Sequence, residues 1–315
     1  MENQSVMWRR VGLGLGGCIG AGVAVQSRVN GVLGERLQDG VAAAVISFGV
    51  GLLLVGVGCL SSGRLRAGVG RAWGAVRAGE LRWWQLLGGV CGAFFVACQG
   101  LTVAAIGVTA FTVAVVAGQL TSSLVVDRLG MGPRGRTPVT LLRSGGAGLA
   151  LVAVVGRTGG DGGLSAPEAL RGGPQALLIL LPLIAGVGTA WQQAVNGRVG
   201  AVGGPQSATL ANFVTGCAAL LLVEAAVIAG SGWPRGFPSE PWLYLGGAIG
   251  VVFIALAVVV VRWIGVLLLG LTSVAGQLLM SLLLDVVAPT GAGVSALAVV
   301  GCVLTFVAVA VAART

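Results

Sequence analysis

Residues 116–127 read VAGQLTSSLVVD and residues 274–285 read VAGQLLMSLLLD, identical at eight of twelve positions. The same spacing of 158 pairs Trp84, Gly88, Gly89, Gly92 and Phe95 with Trp242, Gly246, Gly247, Gly250 and Phe253. It also pairs Ile106-Gly107 with Ile264-Gly265. Upstream, a spacing of 166 pairs Gln26, Val29, Asn30, Gly31 and Gly34 with Gln192, Val195, Asn196, Gly197 and Gly200. Between these blocks, Ser47-Phe48 and Gly51 match Asn212-Phe213 and Gly216. Self-similarity of this extent marks a duplicated structural unit.

The solvent of that unit follows from composition. Of 315 residues, 56% are hydrophobic and only 9% charged, against roughly 25% charged in a soluble domain. Mean hydropathy is +0.97. So few charges cannot cover a water-facing surface, and the chain is read as an integral membrane protein. About 20 apolar residues cross a bilayer, so charge-free runs serve as a ruler. Runs lie at 11–27, 40–63, 83–126, 138–156, 172–197, 199–223, 241–261, 263–284 and 286–313. The 83–126 run is long enough for two crossings with a turn near Gly107, and the 138–156 run carries Arg143, which must snorkel. Ten spans result. Leu15-Gly16-Gly17-Cys18 resembles a lipoprotein cleavage box, but the apolar stretch before it is too short and the segment recurs in the second half. It is read as a span.

Ten spans in two copies make five per copy. Five is odd, so the second copy enters the membrane from the opposite side. The expected fold is therefore all-α and polytopic, with ten transmembrane helices as two inverted five-helix repeats. These are residues 1–156 and 176–315, joined by a Gly-rich outer linker at 157–175. Inverted repeats are a hallmark of secondary transporters.

All 19 basic residues are arginine, and the net charge is +9. In this threading 14 arginines fall on the side of both termini and 5 on the other, which places both termini in the cytoplasm. The arginines sit in short loops between apolar runs, so nucleic acid is not an expected partner. The basic 62–82 loop, with Trp73, reads as a short surface helix. The absence of histidine and lysine removes histidine acid–base chemistry and Schiff-base lysine chemistry. Cys18, Cys59, Cys91, Cys98, Cys217 and Cys302 lie inside apolar runs without metal-ligand spacing, as small packing residues do. No metal or cofactor is expected.

Polar groups inside the bilayer are costly and mark candidate sites. Gln26 and Asn30 share a helical face, and Gln192 and Asn196 repeat them. Gln119, Ser123 and Asp127 form one stripe at i, i+4 and i+8, repeated as Gln277, Ser281 and Asp285. In the threading Asp127 closes its helix on the cytoplasmic side and Asp285 on the outer side, as symmetry-related gates would. Trp191 lies inside a span beside Gln192 and Gln193. Glu224 interrupts a long apolar run with Cys59 at the aligned position. It suits either a proton carrier or a carboxylate at the outer interface. The alternative for every amide and hydroxyl is helix–helix hydrogen bonding, at about 1 kcal/mol each. Gly88/Gly92, Gly246/Gly250 and Gly16/Gly20 read as close-packing pairs.

The Gln-x-x-x-Asn-Gly segment, the Ser-Phe-x-x-Gly helix, the Trp-rich start of the third span and the twice-occurring Ala-Gly-Gln-Leu-x-x-Ser-Leu-x-x-Asp together resemble the YdcZ family of the drug/metabolite transporter superfamily. The chain looks like a fused, double-length member. The resemblance implies a bacterial inner (plasma) membrane exporter, without naming a substrate. The essential first-helix Glu of the superfamily's small multidrug members has no equivalent, because residues 11–27 contain no carboxylate. The expected function is secondary transport, as an exporter of a small metabolite or drug-like solute by alternating access. The alternative is a channel or lipid scramblase on the same frame. An enzyme is not expected, since the spans lack paired carboxylates, histidine and a metal cluster. The expected partners are the lipid bilayer and a small-molecule substrate, with the chain a monomer or homodimer.

Overall fold

The computed structural model describes residues 2–138, 140–141, 144–145, 173–234 and 236–287, with 303, 306, 307 and 310 beyond. For 2–6, 103–110, 113, 173–179, 231 and 285–287 it describes the backbone alone. The expected spans at 138–156 and 286–313, the linker at 157–175 and the side chain of Asp285 therefore lie wholly or mostly outside the described residues.

Among the described residues all regular structure is helical. The helices are α1 (Glu2–Leu37), α2 (Gly40–Ser61), α3 (Gly63–Arg77), α4 (Gly88–Leu129), α5 (Gly173–Gly203), α6 (Pro205–Ser231) and α7 (Gly246–Val287). Short 3-10 turns, Trp83–Leu87 and Pro241–Tyr244, lead into α4 and α7. Among the described residues, four segments are long and apolar enough to cross a membrane: Gly40–Ser61, Trp83–Thr102, Pro205–Gly230 and Pro241–Leu284.

α1 continues past Arg28, Glu35 and Arg36 to Leu37, although its charge-free run ends at residue 27. A helix beyond the hydrocarbon edge needs no apolar side chains, so charge-free length measures the bilayer core and not the helix. The chain then reverses at Gln38, whose φ is 54°. The Asp39 side chain accepts hydrogen bonds from the Val41 and Ala42 amides, both at 2.9 Å, which caps α2. α3 matches the expected surface helix. It buries Gly68, Ala72 and Ala75 and leaves Arg64, Arg66, Arg71 and Arg77 exposed. Arg77 lies over the Trp73 ring at 5.6 Å.

α4 and α7 each have 42 residues, which would reach about 63 Å if straight, twice the hydrocarbon thickness. Both double back. In α4 the Phe95 and Phe111 rings lie 5.8 Å apart, where a straight helix would separate them by about 24 Å. In α7 the fold occurs at Gly265 (φ 82°, ψ 175°), a conformation open to glycine and not to other residues. Ile249 and Ser273, one on each leg of α7, pack against Gly22 and Gly20 of α1. Cys91 and Val115, one on each leg of α4, pack against Gly188 and Gly186 of α5.

These contacts are reciprocal, because each pair is the repeat image of the other. A Cβ on Gly20 would overlap the Ser273 backbone, as one on Gly186 would overlap that of Val115. A Cβ on Gly276 would overlap Gly17, as one on Gly118 would overlap Leu183. At the centre Phe48 of α2 meets Phe213 of α6, with ring centroids 5.1 Å apart. Each ring also fills the space that a side chain on Gly216 or Gly51 would occupy. Each half thus packs chiefly on the other.

The directions of α2 and α6 can be read from their ends. α2 starts at Gly40, against Gly100. It ends one residue before α3, whose Gly68 packs on Gly203, the last residue of α5, and on Ser207 at the start of α6. The end of α2 and the beginning of α6 therefore share one side, and the two repeat-related helices run antiparallel.

Candidate functional site

A cavity lies where the two halves meet. Its empty volume is about 780 Å3 with the open mouth included. The walls are repeat-related: Gln26 with Gln192, Phe48 with Phe213, Gly92 with Gly250, Phe95 with Phe253 and Gln119 with Gln277. Ser47, Thr189, Gln193, Asn196 and Ser273 add polar groups, and aliphatic side chains complete the lining. Among the described residues no charged side chain lines it.

The Gln-x-x-x-Asn faces reach this position by seating in the Gly-x-x-x-Gly faces of the opposite half. A Cβ on Gly92 would lie 2.5 Å from Gln192 Nε2, and one on Gly88 would lie 2.5 Å from Asn196 Oδ1. Gly250 and Gly246 leave the same room for Gln26 and Asn30. Both motifs have a four-residue period, so two helices in contact can engage both positions at once.

The hydrogen bonds differ between the halves. Gln26 Nε2 donates to the Gly246 carbonyl at 2.8 Å. Asn30 Nδ2 donates to Gln99 Oε1 at 3.0 Å, and Gln99 Nε2 donates to Ser27 Oγ at 2.6 Å. In the second half, Gln192 Nε2 and Asn196 Nδ2 both donate to Asn212 Oδ1, at 2.8 and 2.9 Å. The sequence reading missed Gln99, Asn212 and Ser47 as site residues, whereas Gln193, read as a residue flanking Gln192 that could line a cavity, does line it. Gln99 has Ala257 as its repeat partner and Ser47 has Asn212, so a search for polar residues identical in both halves passes over them. Several buried polar atoms have no hydrogen-bond partner: Gln26 Oε1, Asn30 Oδ1, Ser47 Oγ, Gln193 Oε1, Asn212 Nδ2 and Glu224 Oε2.

Of the candidates read from sequence, Gln26, Gln119, Gln192, Asn196 and Gln277 line the cavity. Asn30 is fully buried behind it. Ser123 and Ser281 donate back to the carbonyls of Gln119 and Gln277, at 2.6 and 2.8 Å, and satisfy themselves within their own helices. Trp191 does not line the cavity. It stacks on Trp84, with ring centroids 6.1 Å apart.

Asp127 stands at the Gly265 fold of α7. Its two carboxylate oxygens accept from the Val266 and Leu267 amides, both at 3.2 Å. Those amides open the second leg of α7 and lack intrahelical partners, so Asp127 caps a helix of the other half. Beside it, Arg198 of α5 donates to the carbonyls of Met131 (2.8 Å) and Gly130 (2.6 Å) at the end of α4. Two charged side chains thus clamp the halves together at one end.

Glu224 lies on α6, on the face of Cys217 and Leu220, which pack with Val41 and Ala44 of α2. It is 7% exposed, with Asp39 as its charged neighbour. The side chain is covered by protein, level with the Asp39 cap at the α1–α2 turn. It does not line the cavity.

Fold and site together define a polytopic helical membrane protein with a cavity between two similar halves, uncharged among the described residues. A family model described as "Putative inner membrane exporter, YdcZ" matches residues 11–156 and again 177–311. The chain belongs to this family, and it carries the family's unit twice. It is thereby a membrane protein of the exporter kind, in the inner membrane. A search of curated proteins found no match. A solved structure titled "Crystal structure of protein" is 18% identical, with a TM-score of 0.65 and 96% of each chain covered. That likeness concerns the fold alone.

Proposed function

We propose that this chain is a secondary transporter that exports a small metabolite or drug-like solute by alternating access. Its frame is ten spans in two inverted five-span repeats, residues 1–156 and 176–315, joined by an outer linker at 157–175, with both termini in the cytoplasm. The antiparallel course of α2 and α6 supports the inversion. The observation that carries the reading is the cavity, walled by the same positions of both halves. A site shared by two inverted halves can be uncovered from either side by equivalent motions. Asp127 and Arg198 form the cytoplasmic gate, and Asp285 belongs to the outer one. Glu224 is the candidate proton carrier, with a carboxylate at the outer interface as the alternative.

The test is flux into proteoliposomes holding purified protein, under imposed proton or sodium gradients. The doubly substituted Gln119→Leu/Gln277→Leu chain is expected to reach the membrane in normal amounts and to lose most flux. A wild-type chain that moves no solute and responds to neither gradient would sink the proposal. So would a steady, non-saturating conductance, which belongs to a channel.

A further inference from the structure

We infer that the cavity selects uncharged molecules that pair an aromatic or similarly compact apolar body with N–H or O–H donors. It rejects carboxylates and ammonium ions. This assignment of a substrate class rests on the transport reading above.

Three observations carry it. First, polar atoms in the wall lack partners: Gln26 Oε1, Gln193 Oε1 and Ser47 Oγ all belong to cavity-lining residues. Gln26 and Ser47 are 3% and 2% exposed. The orientation of the Gln26 amide is fixed, because its Nε2 donates to the Gly246 carbonyl, leaving the oxygen as the orphan. Both orphaned amide atoms are acceptors, and a buried carbonyl without a donor is costly to leave so. A ligand that brings donors removes that cost, and one that brings only acceptors adds to it.

Second, Phe48, Phe95, Phe213 and Phe253 supply apolar surface from both halves. Rings favour offset or edge contacts with other rings, which suits a planar body. Third, among the described residues no carboxylate or guanidinium lines the wall. An ion entering this space would shed water with no opposite charge to replace it. Phenyl faces attract cations, but without a carboxylate they do not replace a lost hydration shell.

One ring scaffold in four forms tests this. Benzamide offers donors, N,N-dimethylbenzamide offers none, and benzoate and benzylammonium are the anion and cation of similar size. Binding to the full chain in nanodiscs would be measured by calorimetry. Benzamide is expected to bind at least about tenfold more tightly than the dimethyl form, the value of one lost hydrogen bond, and more tightly than either ion. Gln193→Leu should weaken benzamide and bring the two neutral forms within about threefold of each other. Gln26→Leu should do the same, and the pair of variants guards against loss of the Gly246 bond as the cause.

Equal binding of the two neutral forms, tighter binding of either ion, or no binding of any of the four would overturn the inference. Flux assays separate its failure from that of the transport reading. If an ion is bound and moved, the selectivity falls and transport stands. If benzamide binds in the expected pattern while no solute crosses, transport falls and the binding class stands.

Discussion

Gly14 and Gly20 lie on α1, and only one of them is constrained. A Cβ on Gly20 would overlap the Ser273 backbone, whereas Gly14 has open space around it. Backbone cannot rotate away as a side chain can, so the helices must separate. Gly20→Ala is expected to destabilise the chain by about 1–3 kcal/mol, and Gly14→Ala to stay within about 0.5 kcal/mol of wild type. Thermal melts of the detergent-solubilised variants, side by side, check the contrast. An equal effect of both would show that α1 and α7 do not meet at Gly20. At this scale the sequence revealed the repeated amides and the glycines, yet not that they engage each other. Trp191 shows the reverse error. It looks like a site residue because it sits mid-span, and its actual partner, Trp84, is 107 positions away in the chain.

The elements that matter most are the folded helices. A turn near Gly107 could be guessed from the length of the 83–126 run, and its repeat image Gly265 carries the left-handed backbone that such a turn requires. What no periodicity reveals is that Asp127 of the first half reaches across to cap this fold. Capping residues are read from local spacing, and this one is 139 positions from its nearest amide partner. Asp127→Ala should cost about 0.5–2 kcal/mol of cap stability and loosen the end of the molecule at the Gly265 fold. A cysteine placed at Gly265 is unsuitable because of its positive φ, so the probe is a cysteine at Leu267 in a background without native cysteines. Under the proposed orientation, its labelling by a membrane-impermeant reagent from the cytoplasmic face should rise in Asp127→Ala and rise less in Asp127→Asn, which keeps one acceptor. Unchanged labelling in both would remove Asp127 from the gate.

For the whole molecule, duplication was legible because both copies retain Gln, Gly, Trp and Phe at matching positions. The interlocking of the copies was not legible, since repeats can equally stack as separate bundles. Contacts such as Phe48 on Phe213 and Gly92 under Gln192 show that neither half encloses the cavity alone. Co-expressed fragments 1–156 and 176–315 should therefore restore flux to a substantial part of the intact level, while either fragment alone should be degraded. Membrane accumulation and proteoliposome flux of the three combinations decide it. Full activity from a single fragment would contradict the shared site.

The unlike hydrogen-bond networks have an energetic consequence. In the alternating-access cycle proposed above, identical halves would make the conformer open to one side the two-fold image of the conformer open to the other, and the two would be equally populated at rest. Ser47 opposite Asn212, Ser27 opposite Gln193 and Gln99 opposite Ala257 break that degeneracy. One hydrogen bond more in one conformer, at about 1 kcal/mol, tilts the resting population roughly fivefold. A duplicated gene is free to acquire such a tilt, because each copy mutates separately. A symmetric pair of identical chains has no means of recording which side it should face while empty.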